Sequence, residues 1–209
     1  MPTYGYTKIT EGTDKKVASV QRVKGSDTVE EQSIVLSEGF VASYTVSVTT
    51  AITLATANNH LIQFMAGATN IVILRRLQVF QLAVASAAQA CVFQLLRLSS
   101  AGTGGTSYTP RAKDPADSAA DSTAMANITG ASKGTEGNII WTGVSNAWAA
   151  IPPAFAYGPL LELDFRDPRS KPPRIAAGTS NGLALKNITG VTTTPTVHIF
   201  AEVDEITYT

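Results

Sequence analysis

The stretch Leu77–Leu96, LQVFQLAVASAAQACVFQLL, contains no charged residue and is about as long as a helix that crosses a bilayer. Three readings compete for it: a membrane span, a buried helix, or two strands with a turn between them. Gln78, Gln81, Gln89 and Gln94 lie inside it, and each buried amide would go unsatisfied in lipid. The central AVASAAQA is rich in alanine, the best helix former. Both flanks nevertheless read as strands. IVILRRLQVFQLAV is dense in β-branched and large apolar residues, and CVFQLLRLSS runs directly into the glycine-rich AGTGGT. With ASAAQA small enough to turn, the stretch is expected to be a β-hairpin.

The same period of two recurs outward from this point. In YTVSVTTAITL, Tyr44, Val46, Val48, Ile52 and Leu54 share one face, opposite Thr45, Ser47, Thr49 and Thr53. In TVHIFAEVDEIT, Val197, Ile199, Ala201 and Val203 oppose His198, Phe200, Glu202 and Asp204. HLIQFMAG, NIIWTG, LLELDF and GLALKNIT supply further candidate strands, separated by the turn material AGTGGT, DPRSKPP and GTSNG. No segment holds a helical period over three turns. The spacing predicts an all-β fold, a sandwich or barrel.

Two regions stand apart. Residues 1–38 carry Lys8, Glu11, Asp14, Lys15, Lys16, Arg22, Lys24, Asp27, Glu30 and Glu31 with little apolar pattern, and are expected to be an extended, flexible N-terminal arm, disordered when free or ordered against a partner. Residues 39–209 are expected to form the sandwich. Within them Thr109–Asn138 reads as one long protruding loop, too long for an ordinary connection.

Composition narrows the function. Sixteen basic and 16 acidic residues give a net charge of zero, which argues against nucleic acid as the main partner. Charged residues make up only 15%, with Thr, Ser and Ala taking their place, as expected of a surface largely covered by neighbouring subunits or of a β-rich monomer. The single cysteine, Cys91, excludes an intramolecular disulfide framework and reads as a small buried hydrophobe. MPTYGYTKIT has no apolar stretch of the kind that directs export, so synthesis and use in a cytoplasm, or release by lysis, is the expectation.

The motifs point away from catalysis. Asp114, Asp117 and Asp121 lack the ligand spacing, central glycine and closing glutamate of a calcium loop, and Asp114 before Pro115 suits a helix cap. His60 and His198 are the only histidines, and no nucleophile-elbow pattern accompanies either. AGTGGT lacks the following helix and Lys-Ser/Thr of a phosphate loop. Asn127 and Asn187 each begin NITG, read as turn-edge residues rather than glycosylation acceptors. Trp141, Trp148, Phe155 and Tyr157 form an aromatic group suited to a core or a subunit contact, or to stacking on sugar rings. No enzyme activity, cofactor or metal is expected. The residues expected at contacts are Tyr4, Tyr6, Lys15, Lys16, Arg22 and Lys24 of the arm, with Trp148 and Tyr157.

From about residue 70 the chain resembles small tailed-bacteriophage virion proteins. The resemblance is carried by Arg75-Arg76 leading into LQVFQLA, then FQLLRL, Gly104-Gly105-Thr106, Thr109-Pro110, KDPADSAA, NGLALKNIT and the final acidic AEVDE. It implies a jelly-roll or related antiparallel sandwich sitting on a capsid or tail as an oligomer, and carries over no catalytic residue. The expected role is a capsid decoration, or cement, protein. Its partners would be the major capsid protein and copies of itself, as a homotrimer, in the virion and without membrane or nucleic acid. The competing expectation is a receptor- or glycan-binding head of a fibre or tail.

Overall fold

Alternating apolar residues become strands along most of the chain. The computed structural model describes residues 4–8, 16–24, 27–33, 41–83, 85, 87–148, 159–167, 171–191 and 195–207, the first three segments as backbone. The chain divides into two compact units, Met1–Glu38 and Gly39–Thr209.

The first unit holds β1 (Tyr4–Lys8), β2 (Lys16–Lys24) and β3 (Asp27–Ser33), an antiparallel meander in that order. The segment expected as an extended arm therefore pairs its strands with one another. The sequence reading missed these strands because apolar and polar residues fall on both parities, as Val17, Val20 and Val23 show, so no face stands out as apolar.

The second unit contains β4 (Val41–Thr53), β5 (Asn59–Met65), β6 (Asn70–Gln81), β7 (Gln89–Leu98), β8 (Thr106–Tyr108) and β9 (Arg111–Ala112). These are followed by β10 (Thr123–Ile128), a 3-10 turn at Gly130–Ser132, β11 (Glu136–Ala147) and β12 (Leu161–Asp164). β13 (Arg174–Ile175), β14 (Gly182–Asn187) and β15 (Thr196–Thr207) complete it. Two antiparallel sheets pack as a sandwich. One has the order β11-β7-β14-β5-β10-β8, and the other β12-β6-β15-β4-β9 with β13 also on β6.

The pairing is nested. β4 pairs with β15, β5 with β14, β6 with β12 and β7 with β11. Two further seams, β15 with β6 and β14 with β7, close each sheet. The result is one long folded ribbon of eight strands wrapped upon itself, with β8, β9 and β10 added at the β4 and β5 edges.

This topology corrects two expectations. Leu77–Leu96 is not a hairpin, because β6 and β7 belong to different sheets. The connection between them crosses the sandwich, with Ala85 fully buried and its amide donating to the carbonyl of Trp148 at 2.9 Å. Gln81 fastens the departure point by donating to the carbonyls of Ala83 and Trp148. A small residue suits that one buried point, where Ala85 occupies little core volume. Nor is Thr109–Asn138 one protruding loop, since it contains β9 and β10. Ala124 and Ala126 of β10 face the core. Their alternation is carried by small alanines, which gives little hydrophobic contrast with the polar positions between them.

Two bulges tune the faces. In β6, Leu74 pairs with Val203 and Arg76 with Glu202, leaving Arg75 as the extra residue. Leu74 and Leu77, three apart, can then both face the core, and the adjacent Arg75 and Arg76 both avoid it. In β5, Ile62 pairs with Leu185 and His60 with Lys186, so Leu61 is extra against β14. The interior joins Tyr44, Val46, Val48, Leu61, Ile62, Phe64, Leu77, Val79, Phe93, Leu95, Leu183, Leu185, Ile199 and Val203 in one cluster. Burial of this apolar surface is the dominant stabilising contribution.

Candidate functional site

β11 is the edge strand of its sheet and 12 residues long. Trp141, Gly143 and Ser145 pair with Leu95, Phe93 and Cys91, whose side chains belong to the core, so these three positions share the inner face. The Trp141 ring lies across Gly143, where any Cβ would overlap it. The Ser145 hydroxyl donates to the carbonyl of Leu160. The alternate positions, Ile140, Thr142 and Val144, fall on the outer face. Irregularities in register around Ile139 expose that residue as well. Ile139, Ile140 and Val144 are 54%, 40% and 67% exposed, and no charged residue occurs from Gly137 to Trp148. Edge strands ordinarily carry lysine, proline or inward charge to discourage pairing. This one presents an uncharged apolar row, and among the described residues no strand pairs with its outer edge.

The start of β11 is held by a polar cluster. His60 is fully buried, and its Nε2 lies 3.0 Å from Oε1 of Glu136. Glu136 also meets Lys186 at 2.7 Å and Lys133 at 3.2 Å. Burial opposes ionisation of Glu136, but hydrogen bonds from Lys186, Lys133 and His60 outweigh it and hold the carboxyl down to about 2. Burial lowers the pKa of His60, with only partial opposition from Glu136. Gln63 completes the cluster by donating to His60 Nδ1 at 2.6 Å and to the carbonyl of Lys133 at 2.7 Å. On a regular strand, positions 60 and 63 would face opposite ways. The bulge at Leu61 brings them together, a feature that period-two reasoning could not anticipate.

Beside this cluster lies a pocket of 360 Å³, walled by Gln63, Met65, Gly102, Tyr108, Pro110 and Ser122 among others. The outer face of the second sheet is different in character. Arg75 pairs with Asp204, Arg76 with Glu162, Lys113 with Glu202, and Arg166 with Asp164. On that face Arg75, Arg76, Lys113 and Arg166 each meet a carboxylate.

The residues expected at contacts are distributed as follows. In the register of the first unit, Tyr4 pairs with Val20, Tyr6 with Ala18 and Lys8 with Lys16. Arg22 pairs with Val29 and Lys24 with Asp27. Tyr4, Tyr6, Lys16, Arg22 and Lys24 therefore share one face of the meander, together with Lys8, Asp27 and Glu31. Among the described positions, the opposite face carries one charged residue, Glu30. Lys15 and Tyr157, like Phe155, lie outside the described residues. Trp148 is half-buried, and its amide donates to Gln81 Oε1, so its backbone anchors the crossing between sheets.

The remaining candidates resolve into structural roles. Asp114 accepts from the amide of Ala116, while Asp121 accepts from Thr69 and Asn70, so the acidic run is divided between separate turns. Asn187 is fully buried and donates to the carbonyl of Leu54, and Asn127 adopts a positive φ within β10. His198 stands half-buried opposite Phe80. Cys91 is buried, which raises its thiol pKa.

No family model, curated protein or solved structure matches the chain.

Proposed function

We propose that this chain is a structural protein of a tailed-bacteriophage virion: a jelly-roll decoration, or cement, protein that binds the major capsid protein, self-associates as a homotrimer and reinforces the shell. The nested pairing of β4 with β15 through β7 with β11 supports the jelly-roll reading, since a wrapped eight-stranded ribbon is that fold's construction. The observation that carries self-association is the exposed row Ile139, Ile140 and Val144 on an uncharged edge. The second copy is its chosen occupant because the row holds no charge, so a patch of a neighbouring copy meets it without repulsion. Around a three-fold axis, each β11 row meets a different patch of the next copy. The face of the first unit bearing Tyr4, Tyr6, Lys16, Arg22 and Lys24 suits attachment to the shell, where aromatic and basic groups combine area with charge. Repetition across a lattice then multiplies a modest contact.

Purified particles test this reading through the copy number and position of the chain. Many symmetric copies over the shell support it. A handful at one vertex favours the second reading, a receptor- or glycan-binding head of a fibre or tail. The specific observation behind that alternative is the pocket between Gln63, Tyr108 and Ser122.

A further inference from the structure

Gln63 is the one side chain of the central strand β5 that holds two separate surface segments at once. Its Oε1 accepts the amide of Gly102 at 2.9 Å, and its Nε2 donates to the carbonyl of Lys133 at 2.7 Å. The two segments are also stitched to each other. Thr103 donates to the carbonyl of Ser132, Ser99 to that of Thr135, and the amide of Thr135 to Ser100 Oγ. Gly102 and Gly134 permit this approach, because a Cβ on either would collide with backbone of the opposite segment.

The hydrogen-bond polarity around Gln63 leaves no freedom. The Gly102 N–H requires the amide oxygen on its side, and the Lys133 carbonyl requires the NH2 on the other. The same NH2 faces Nδ1 of His60, which must therefore accept. The proton of the neutral ring then sits on Nε2, where it is donated to Glu136. A second proton on Nδ1 would set N–H against NH2. Turning the Gln63 amide to relieve this would set NH2 against the Gly102 N–H and oxygen against the Lys133 carbonyl. Each arrangement orphans buried groups, at a cost that favours opening.

We propose that His60 and Gln63 form an acid-released latch: protonation of His60 frees the 99–105 and 130–135 segments from β5 and opens the pocket that Ala101 and Gly102 wall. The charged groups facing His60 are Glu136 of β11, Lys133 before it and Lys186 of β14. Glu136 attracts the proton and the two lysines repel it. Because burial and the lysines depress the folded-state pKa of His60, the latched state binds the proton more weakly than the open state. Latching is at full strength above the ordinary histidine value of about 6.5 and weakens as pH falls below it. Between that value and the latched pKa, the open fraction rises about tenfold per pH unit.

Hydrogen exchange of the full chain between pH 7.5 and 5.5 tests the latch, with rates expressed as protection over intrinsic exchange. Protection of the Gly102 and Thr103 amides should fall on acidification while that of the β15 amides holds. In His60→Gln the fall should disappear. Unchanged protection in the wild type, or the same fall in His60→Gln, overturns the proposal. If that variant does not fold, the wild-type imidazole nitrogen resonances decide. The protonated form of His60 should grow in together with loss of Gly102 protection, and protonation with protection intact contradicts the latch.

Discussion

The carboxyl group of Asp121 fills the space beside Gly67 that a side chain would need. A Cβ built on Gly67 would overlap its Cγ and both oxygens. From there Asp121 accepts hydrogen bonds from the amides of Thr69 and Asn70 and from the Thr69 hydroxyl. The turn between β5 and β6 is thus closed by a residue more than fifty positions away.

Substituting Gly67→Ala should accordingly destabilise the second unit by about 1–3 kcal/mol, the usual cost of forcing atoms into filled space. Denaturant midpoints at constant slope measure it. Hydrogen bonds, first that from the Thr69 amide, lower the pKa of Asp121. The stability it contributes is present above its unfolded value and lost as pH falls through the folded one, so Asp121→Asn should flatten the acid limb of the stability curve.

Glu205 is the second acidic residue with a structural task. It is 2% exposed and accepts from Ser122 N and Oγ, Asp121 N and Asn70 Nδ2. Glu205→Ala leaves those four donors without their acceptor and should cost about 3 kcal/mol in urea unfolding, since bonds to a charged acceptor exceed neutral ones. A loss below about 1 kcal/mol would show that water replaces it.

At the centre of the sandwich, Phe93 is fully buried and joins the main cluster across from Gly143. Phe93→Ala should remove about 3–5 kcal/mol. Val144→Lys, one residue along the partner strand but on the outer face, should change unfolding by less than about 0.5 kcal/mol at dilutions where the chain is single. The contrast, read by thermal or chemical denaturation, checks the face assignment of β7 and β11.

Much of this architecture was legible in the sequence. Tyr44, Val46, Val48, Ile52 and Leu54, and Val197, Ile199, Ala201 and Val203, are buried on the face their alternation assigned. What alternation cannot supply is partnership. The strands flanking AVASAAQA were evident, yet only the coordinates show Gln81 and Gln89 leading into different sheets. Nothing local distinguishes a seven-residue turn from a seven-residue crossing, because both use small residues. β10 escaped notice because Ala124 and Ala126 offer little contrast to their neighbours. The His60–Gln63 pair escaped because a bulge reverses the face of one strand midway, and bulges are set by the partner's register rather than by the strand's own residues. Of the contact candidates, Tyr4, Tyr6, Lys16, Arg22 and Lys24 share a face through an even spacing that was present in the sequence all along.

Sedimentation equilibrium of the full chain, alone and as Ile140→Lys/Val144→Lys, tests most directly the claim that this protein works by contact through its β11 edge. The account predicts a concentration-dependent assembly reaching three chains for the wild type, reduced to one chain in the doubly substituted protein, whose unfolding midpoint matches that of wild type diluted to single chains. A wild-type chain that remains single across the range, or an assembly indifferent to the two lysines, would contradict it.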